Sequence, residues 1–196
     1  MLVGLDQRVN KGNVLKKFIG TLIAAILLDI IIVLGLVMAA VYYQLNYSRD
    51  AKLERVKAIY ATLVAQTGQV QDALPLVIQD SSQINAYNNG EVVVIFTGII
   101  DYANSDDEIA LVLGHEIAHG MLRHLAYKEF GSSALEISVA EGNADKLGAV
   151  YLMKAGYDIC RARDIWLRMG DQGGNYQGGD HPTAAYRFAE LNFNCD

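Results

Sequence analysis

The hydrophobic pattern separates one long apolar run from a remainder with shorter periods. Residues 18–43 are almost wholly apolar, with Leu22-Ile23-Ala24-Ala25-Ile26-Leu27-Leu28 and Ile30-Ile31-Ile32-Val33-Leu34 separated by a single charge, Asp29. A membrane-spanning helix needs about 20 such residues, and this run has 26. The apolar core of a secretory signal is only about 7–15 residues long, so the pattern predicts one transmembrane helix. Beyond it, Leu53, Val56, Ile59, Tyr60 and Leu63 recur at helical spacing and predict a helix over 49–66. Leu76-Val77-Ile78 and Glu91-Val92-Val93-Val94-Ile95-Phe96 are rich in β-branched residues and read as strands. Asn88-Asn89-Gly90 is a hairpin-turn signal, so 84–87 and 91–96 are expected to pair antiparallel.

The C-terminal half reads as helices. Ser105 followed three residues later by Glu108 has the form of a capping box, and it opens a helix from 106 to about 125. A second helix is predicted over 133–155 and closed by Gly156. Ile165, Trp166 and Met169 predict a short third helix. Residues 169–180, rich in Gly, Asn and Gln, read as a loop, either a lid or a plain connection. Pro182 opens a last helix carrying Tyr186, Phe188 and Leu191. The class is therefore α+β, with a small antiparallel sheet and one transmembrane helix. The expected organisation is an N-terminal tail over 1–17, the membrane helix over 18–43 and one domain over 44–196.

Charge narrows the function classes. Residues 1–43 carry four basic and two acidic side chains, and the rest carries 12 basic against 20 acidic. Such an acidic domain lacks the clustered Lys and Arg of a nucleic-acid surface. Four basic residues flank the apolar run on each side, so the positive-inside rule does not orient it. Two cysteines, Cys160 and Cys195, lie near the C-terminus without the spacing of a zinc knuckle or redox pair. Their even count and placement suggest one disulfide and an oxidising compartment; two unrelated buried thiols are the alternative. The disulfide reading makes this a single-pass protein of the inner (cell) membrane, with a cytoplasmic N-terminal tail and a periplasmic or otherwise extracytoplasmic domain. Asp29 in mid-membrane is costly, and is read either as a contact with a partner subunit or as a tolerated charge.

The chemistry centres on His115-Glu116-Ile117-Ala118-His119. Residues four apart on a helix lie about 40° apart around its axis, so both imidazoles face one side and can bind one zinc ion. Glu116 projects about 100° from His115, placed to reach a water on the metal rather than to ligate it. Glu141, in Glu141-Gly142-Asn143-Ala144-Asp145 on the next predicted helix, is the candidate third ligand. Two histidines and a glutamate leave the fourth position open, as catalytic zinc sites do. Asp145, one turn on, is placed to accept a hydrogen bond from a zinc-bound histidine, His115 being the first candidate. His124 would lie about 140° from His119 on a continuing helix and is read as structural or solvated.

These stretches together resemble a known family. Ile84-Asn85-Ala86-Tyr87, then 92–98, 114–120 and 141–145, followed by His181-Pro182 and Arg187, are similar to the HtpX-, BepA- and Oma-type membrane-associated zinc metallopeptidases over about residues 75–192. The resemblance implies a minimal gluzincin-type zincin domain holding one Zn2+ on His115, His119 and Glu141. It implies that Asn85, Ala86 and Tyr87 form the edge along which substrate lies, by strand addition. It brings His181 to the metal, as an oxyanion donor or a fourth ligand; a solvent-exposed histidine at a helix start is the alternative. Arg187 would anchor that segment or a substrate carbonyl, or be a surface arginine. The chain departs from the family in its Asn88-Asn89-Gly90 turn, often Pro-Gly-Gly, and in lacking multiple membrane helices or helical repeats. The expected function is a membrane-anchored zinc metalloendopeptidase acting on membrane or envelope proteins, with Glu116 as general base. A latent zinc-bound scaffold or chaperone-like subunit, docked through Asp29, is the alternative.

Overall fold

A computed structural model describes residues 3–124, 134–171 and 182–195. The chain divides into two compact units, Met1–Ala51 and Lys52–Asp196. Helix α1 (Val3–Gln66) contributes residues 3–51 to the first and 52–66 to the second. In the first unit Leu22, Ile23, Ile30 and Leu34 are all exposed. An apolar surface all round the helix suits lipid rather than water, and the helix is long and apolar enough to cross a membrane.

In the second unit, the end of α1 buries Val56, Ile59, Tyr60 and Leu63, the stripe that its helical spacing predicts. Three strands follow: β1 (Leu76–Gln79), β2 (Ala86–Asn88) and β3 (Val93–Phe96). β3 is central, and all four of its residues are buried, as expected of an unbroken Val-Val-Ile-Phe run. β2 pairs with it antiparallel, Tyr87 opposite Val94. The turn between them is longer than the three-residue signal suggests. Asn89 Oδ1 accepts from the backbone of Glu91 and Val92, Asn88 Oδ1 accepts from Gly90, and Gly90 takes φ +88°.

The sheet is mixed, not antiparallel: β1 lies parallel to β3, Leu76 opposite Val93. The reason is topological. The chain reverses direction between β1 and β2 and again between β2 and β3, so β1 and β3 run the same way, and β3, inserted between the other two, pairs with β1 in parallel. A short helix α2 (Thr97–Tyr102) leads to α3 (Asp106–Met121). At the start of α3, Ser105 Oγ accepts from Glu108 N at 3.3 Å, as a capping residue should. The Glu108 carboxylate reaches back one residue further than a capping box requires, to Asn104 N, and is gripped by both Arg168 nitrogens at 2.6 and 2.7 Å.

Among the described residues, the remaining helices are α4 (Ala134–Lys154), α5 (Ile159–Ala162), α6 (Asp164–Asp171) and α7 (Ala184–Glu190). Gly156, at φ +88°, ends α4; the Tyr157 and Gly156 amides return to Leu152 and Met153 carbonyls, a Schellman closure. α3 and α4 cross with no side chain between them. A Cβ on Gly114 would lie 2.8 Å from Gly148 O, and one on Gly148 would lie 2.6 Å from His115 N. Cys160 at α5 is disulfide-bonded to Cys195 beyond α7.

Candidate metal centre

The glycine crossing sets the site. It lets α4 approach α3 beside His115, so that Glu141 points at the histidine pair from the facing helix. His115 Nε2 and His119 Nε2 lie 3.0 Å apart, and Glu141 Oε2 is 3.3 Å from the first and 3.4 Å from the second. Three ligand atoms about 2.0–2.1 Å from one tetrahedral ion would be separated by about 3.3–3.4 Å. The observed triangle therefore fits a zinc-sized ion. Two imidazoles and one carboxylate are also the donor chemistry zinc takes, whereas calcium and magnesium favour oxygen alone. His115 and Glu141 are each 2% exposed, whereas the His119 side chain keeps 13% of its surface exposed.

Asp145 lies behind His115. Its Oδ1 is 2.9 Å from His115 Nδ1 and 2.5 Å from Arg187 Nη2, and its Oδ2 accepts from Arg187 Nε at 2.7 Å. With Nδ1 donating to this carboxylate, His115 offers Nε2 to the donor triangle. Burial works against charge on the His115 ring, but the carboxylates of Asp145 and Glu141 override it and push its pKa up to about 9. Burial would likewise raise the Asp145 carboxyl, yet Arg187 and His115 hold it well below the usual carboxylate range. Arg187 is 3% exposed and lies over the Trp166 ring, 3.6 Å from its centroid. It is thus turned into the protein, towards Asp145 and Trp166, and is not the surface arginine that was one of the sequence's alternatives.

His124 also departs from expectation. The angle on the helical wheel presumes that α3 continues, but it stops at Met121. Arg123 takes φ +54°, and the amides of Arg123 and His124 return to the carbonyls of Gly120 and His119. This second Schellman closure swings His124 back over the helix end. Its Nδ1 comes 3.1 Å from His119 Nδ1, and the residue is 8% exposed. Burial, then the neighbouring His119, lowers its pKa.

Glu116 is 8% exposed and follows His115 on α3. Its backbone carbonyl accepts from Asn88 Nδ2 at 2.8 Å, tying strand β2 to the helix. Gly120 leaves room for this, since a Cβ there would lie 2.9 Å from the same nitrogen. β2 is an edge strand; Ala86 and Tyr87 lie on it, Asn85 just precedes it, and Tyr87 is 38% exposed. His181 and residues 172–180 lie outside the described residues. Sequence reasoning missed Asn88, Trp166 and the Gly114–Gly148 pair. Of these, the two glycines carried a signal: Gly114 is an isolated glycine within a helical pattern, and Gly148 with Ala140, Ala144 and Leu147 marks a face that packs closely, though not what it packs against.

Part of the chain is similar in sequence to known proteins. The sequence model of Peptidase family M48 matches residues 48–140. That match spans just under half of the chain and supports a place in peptidase family M48. Proteins similar to the chain include the mitochondrial metalloendopeptidase OMA1 of Arabidopsis thaliana, 28% identical over 48% of this chain and 26% of that one. The mitochondrial metalloendopeptidase OMA1 of Bos taurus is 34% identical over 41% and 16%. The putative beta-barrel assembly-enhancing protease of Vibrio cholerae is 26% identical over 56% and 31%. The chain thus spans less than a third of the length of each. The family match covers His115, Glu116 and His119 and stops one residue before Glu141, so Glu141, Asp145 and Arg187 rest on geometry.

Proposed function

We propose that the chain is a membrane-anchored zinc metalloendopeptidase with a minimal gluzincin domain. The triangle of His115, His119 and Glu141 donor atoms, 3.0–3.4 Å on a side, is the observation that carries this reading. When bound there, zinc supplies a Lewis acid that activates water and polarises a carbonyl. Glu116, beside His115 on the same helix, takes the proton of the attacking water and passes it to the leaving amine. Asp145 and Arg187 keep His115 in the tautomer and orientation that the site needs. The edge of β2, with Asn85, Ala86 and Tyr87, receives an extended peptide by strand addition, and Asn88 holds that edge to the Glu116 carbonyl. His181 supplies either an oxyanion donor or a fourth ligand.

Residues 18–43 would span the membrane between a short tail, 1–17, and the peptidase domain, 44–196. The Cys160–Cys195 disulfide supports an extracytoplasmic, periplasmic-type placement of that domain. Membrane or envelope proteins near the anchor are then the substrate class. Asp29, a charge exposed within the apolar stretch, supports a second reading, a latent subunit docked on a membrane partner.

Glu116→Gln separates these. The peptidase reading expects the wild type to cleave an unfolded protein and the variant to bind zinc but lose cleavage by about 10²-fold or more. Cleavage retained in the variant overturns the role of Glu116. A purified wild type that leaves unfolded substrates intact, yet co-purifies stoichiometrically with a larger complex, favours the latent subunit.

A further inference from the structure

Each of the two candidate histidine ligands has a different group behind it. His115 is backed by the Asp145 carboxylate at 2.9 Å. Behind His119 stands another imidazole, with His124 Nδ1 at 3.1 Å from His119 Nδ1, the rings 5.1 Å apart and inclined at 73°.

We propose that His124 is a positioning residue, whose Nδ1 accepts the Nδ1–H of His119 and so fixes the ring orientation in which His119 presents Nε2 to a metal. The inference rests on the reading of His119 as a zinc ligand. His119 Nε2 is directed to His115 Nε2 and Glu141 Oε2, at 3.0 and 3.4 Å. A neutral imidazole has one N–H and one lone pair. With the lone pair of Nε2 given to the metal, the proton of His119 is on Nδ1, and the nitrogen facing it must accept. His124 is therefore the Nε2–H tautomer, its Nδ1 lone pair turned to His119. Metal-bound histidines need such an acceptor to set tautomer and ring plane.

The backbone is shaped to bring it there. A non-glycine residue in the left-handed region is disfavoured by about 1–2 kcal/mol, yet Arg123 adopts φ +54° one residue before His124. The two return hydrogen bonds of the Schellman closure hold the reversal, and one of them joins the His124 amide to the His119 carbonyl. His124 is thus tied to His119 by backbone and by side chain. A carboxylate behind one ligand and a neutral imidazole behind the other make His115 the more electron-rich donor and leave His119 the weaker one.

The test uses the full-length chain in detergent. In the ¹⁵N-labelled, zinc-loaded wild type, long-range ¹H–¹⁵N spectra should show His119 protonated at Nδ1 and His124 protonated at Nε2 alone. A His124 protonated at Nδ1 overturns the proposal, with no variant needed. His124→Phe keeps the ring volume and removes the acceptor; it should weaken zinc binding, read by chelator competition, by about 10- to 100-fold. His124→Gln, which restores an acceptor oxygen, should recover most of that loss. The melting temperature of metal-free His124→Phe should match the wild type, because the ring volume is kept; a fall in it that accompanies the loss of affinity would assign His124 a structural role and overturn the positioning one. Zinc affinity of His124→Phe within about threefold of the wild type, against the range typical of such partners, overturns this inference and spares the metal site. A wild type that takes up no zinc overturns both.

Discussion

Arg187→Met tests the buried network behind the metal centre. Methionine keeps the apolar length of the side chain over Trp166 but removes the guanidinium. Arg187 and Asp145 are 3% and 2% exposed, and their two hydrogen bonds are 2.5 and 2.7 Å long. Without Arg187, a carboxylate with almost no access to water keeps only His115 as a charge partner. Breaking a buried pair from one side is destabilising by about 3–5 kcal/mol, against about 0.5–2 kcal/mol for a lost cation–π contact. At about 3 °C per kcal/mol for a domain of this size, the melting temperature should fall by roughly 10–15 °C. The sign with pH follows from Asp145. Its folded pKa is depressed, so its contribution is whole above the ordinary carboxylate range and is lost as pH falls through and below that range. The destabilisation by Arg187→Met should therefore be large at pH 7 and shrink on acidification. The assay is thermal denaturation of zinc-free protein followed by circular dichroism, from pH 7 downward. The double variant Asp145→Asn, Arg187→Met should be more stable at pH 7 than Arg187→Met alone, because the stranded charge is gone. A single variant melting within about 3 °C of the wild type, or a double variant that falls by the sum of the two, refutes the reasoning.

Gly148→Ala places a Cβ 2.6 Å from both Gly114 C and His115 N, where contact needs about 3.5 Å. The helices must part by roughly 1 Å, beyond the about 0.5 Å that a preorganised site tolerates. Zinc affinity and stability should both fall, the latter by about 1–3 kcal/mol, read by chelator competition and thermal melts. Reducing the Cys160–Cys195 disulfide, which spans 35 residues, should lower stability by about 4 kcal/mol on the loop-entropy account, seen as a shift in denaturant midpoint with reductant. Burial pushes the Tyr60 phenol from 10.0 up to about 12. The folded state therefore holds that proton more tightly, and stability should be intact below pH 10 and decline as pH rises towards 12. Tyr60→Phe, which loses the hydrogen bond to the Leu74 carbonyl, should flatten that decline in pH-dependent melts.

What could be read from the sequence was what local geometry dictates. The cap at Ser105 opens α3, four-residue spacing puts His115 and His119 on one face, and the Asn-Asn-Gly turn pairs β2 with β3. Glu141 was placed by its position on the next helix, not by any view of the crossing. The rest depended on relations between distant parts of the chain. Periodicity marks β1 as a strand but does not say which side of β3 it joins, so the sheet was expected antiparallel. Arg187, on a short helix, has the look of a solvated charge; only the fold shows that Asp145 waits for it. The wheel that turned His124 away from the metal assumed a helix longer than the one that forms, since nothing about Arg123 announces a left-handed residue.

The Gly114–Gly148 crossing has a mechanical consequence. Backbone against backbone leaves nothing compressible at that point, so the two helices can rock there but cannot draw closer, and the contact acts as a pivot. Motion about a pivot grows with distance from it. His115 sits directly beside it, whereas Glu141 is seven residues along α4 from Gly148, about 10 Å at 1.5 Å per residue. A rocking of about 5° would displace Glu141 by about 0.9 Å and hardly move His115. Of the three donors, the glutamate is therefore the arm that swings, and a bound ion would be what locks the lever.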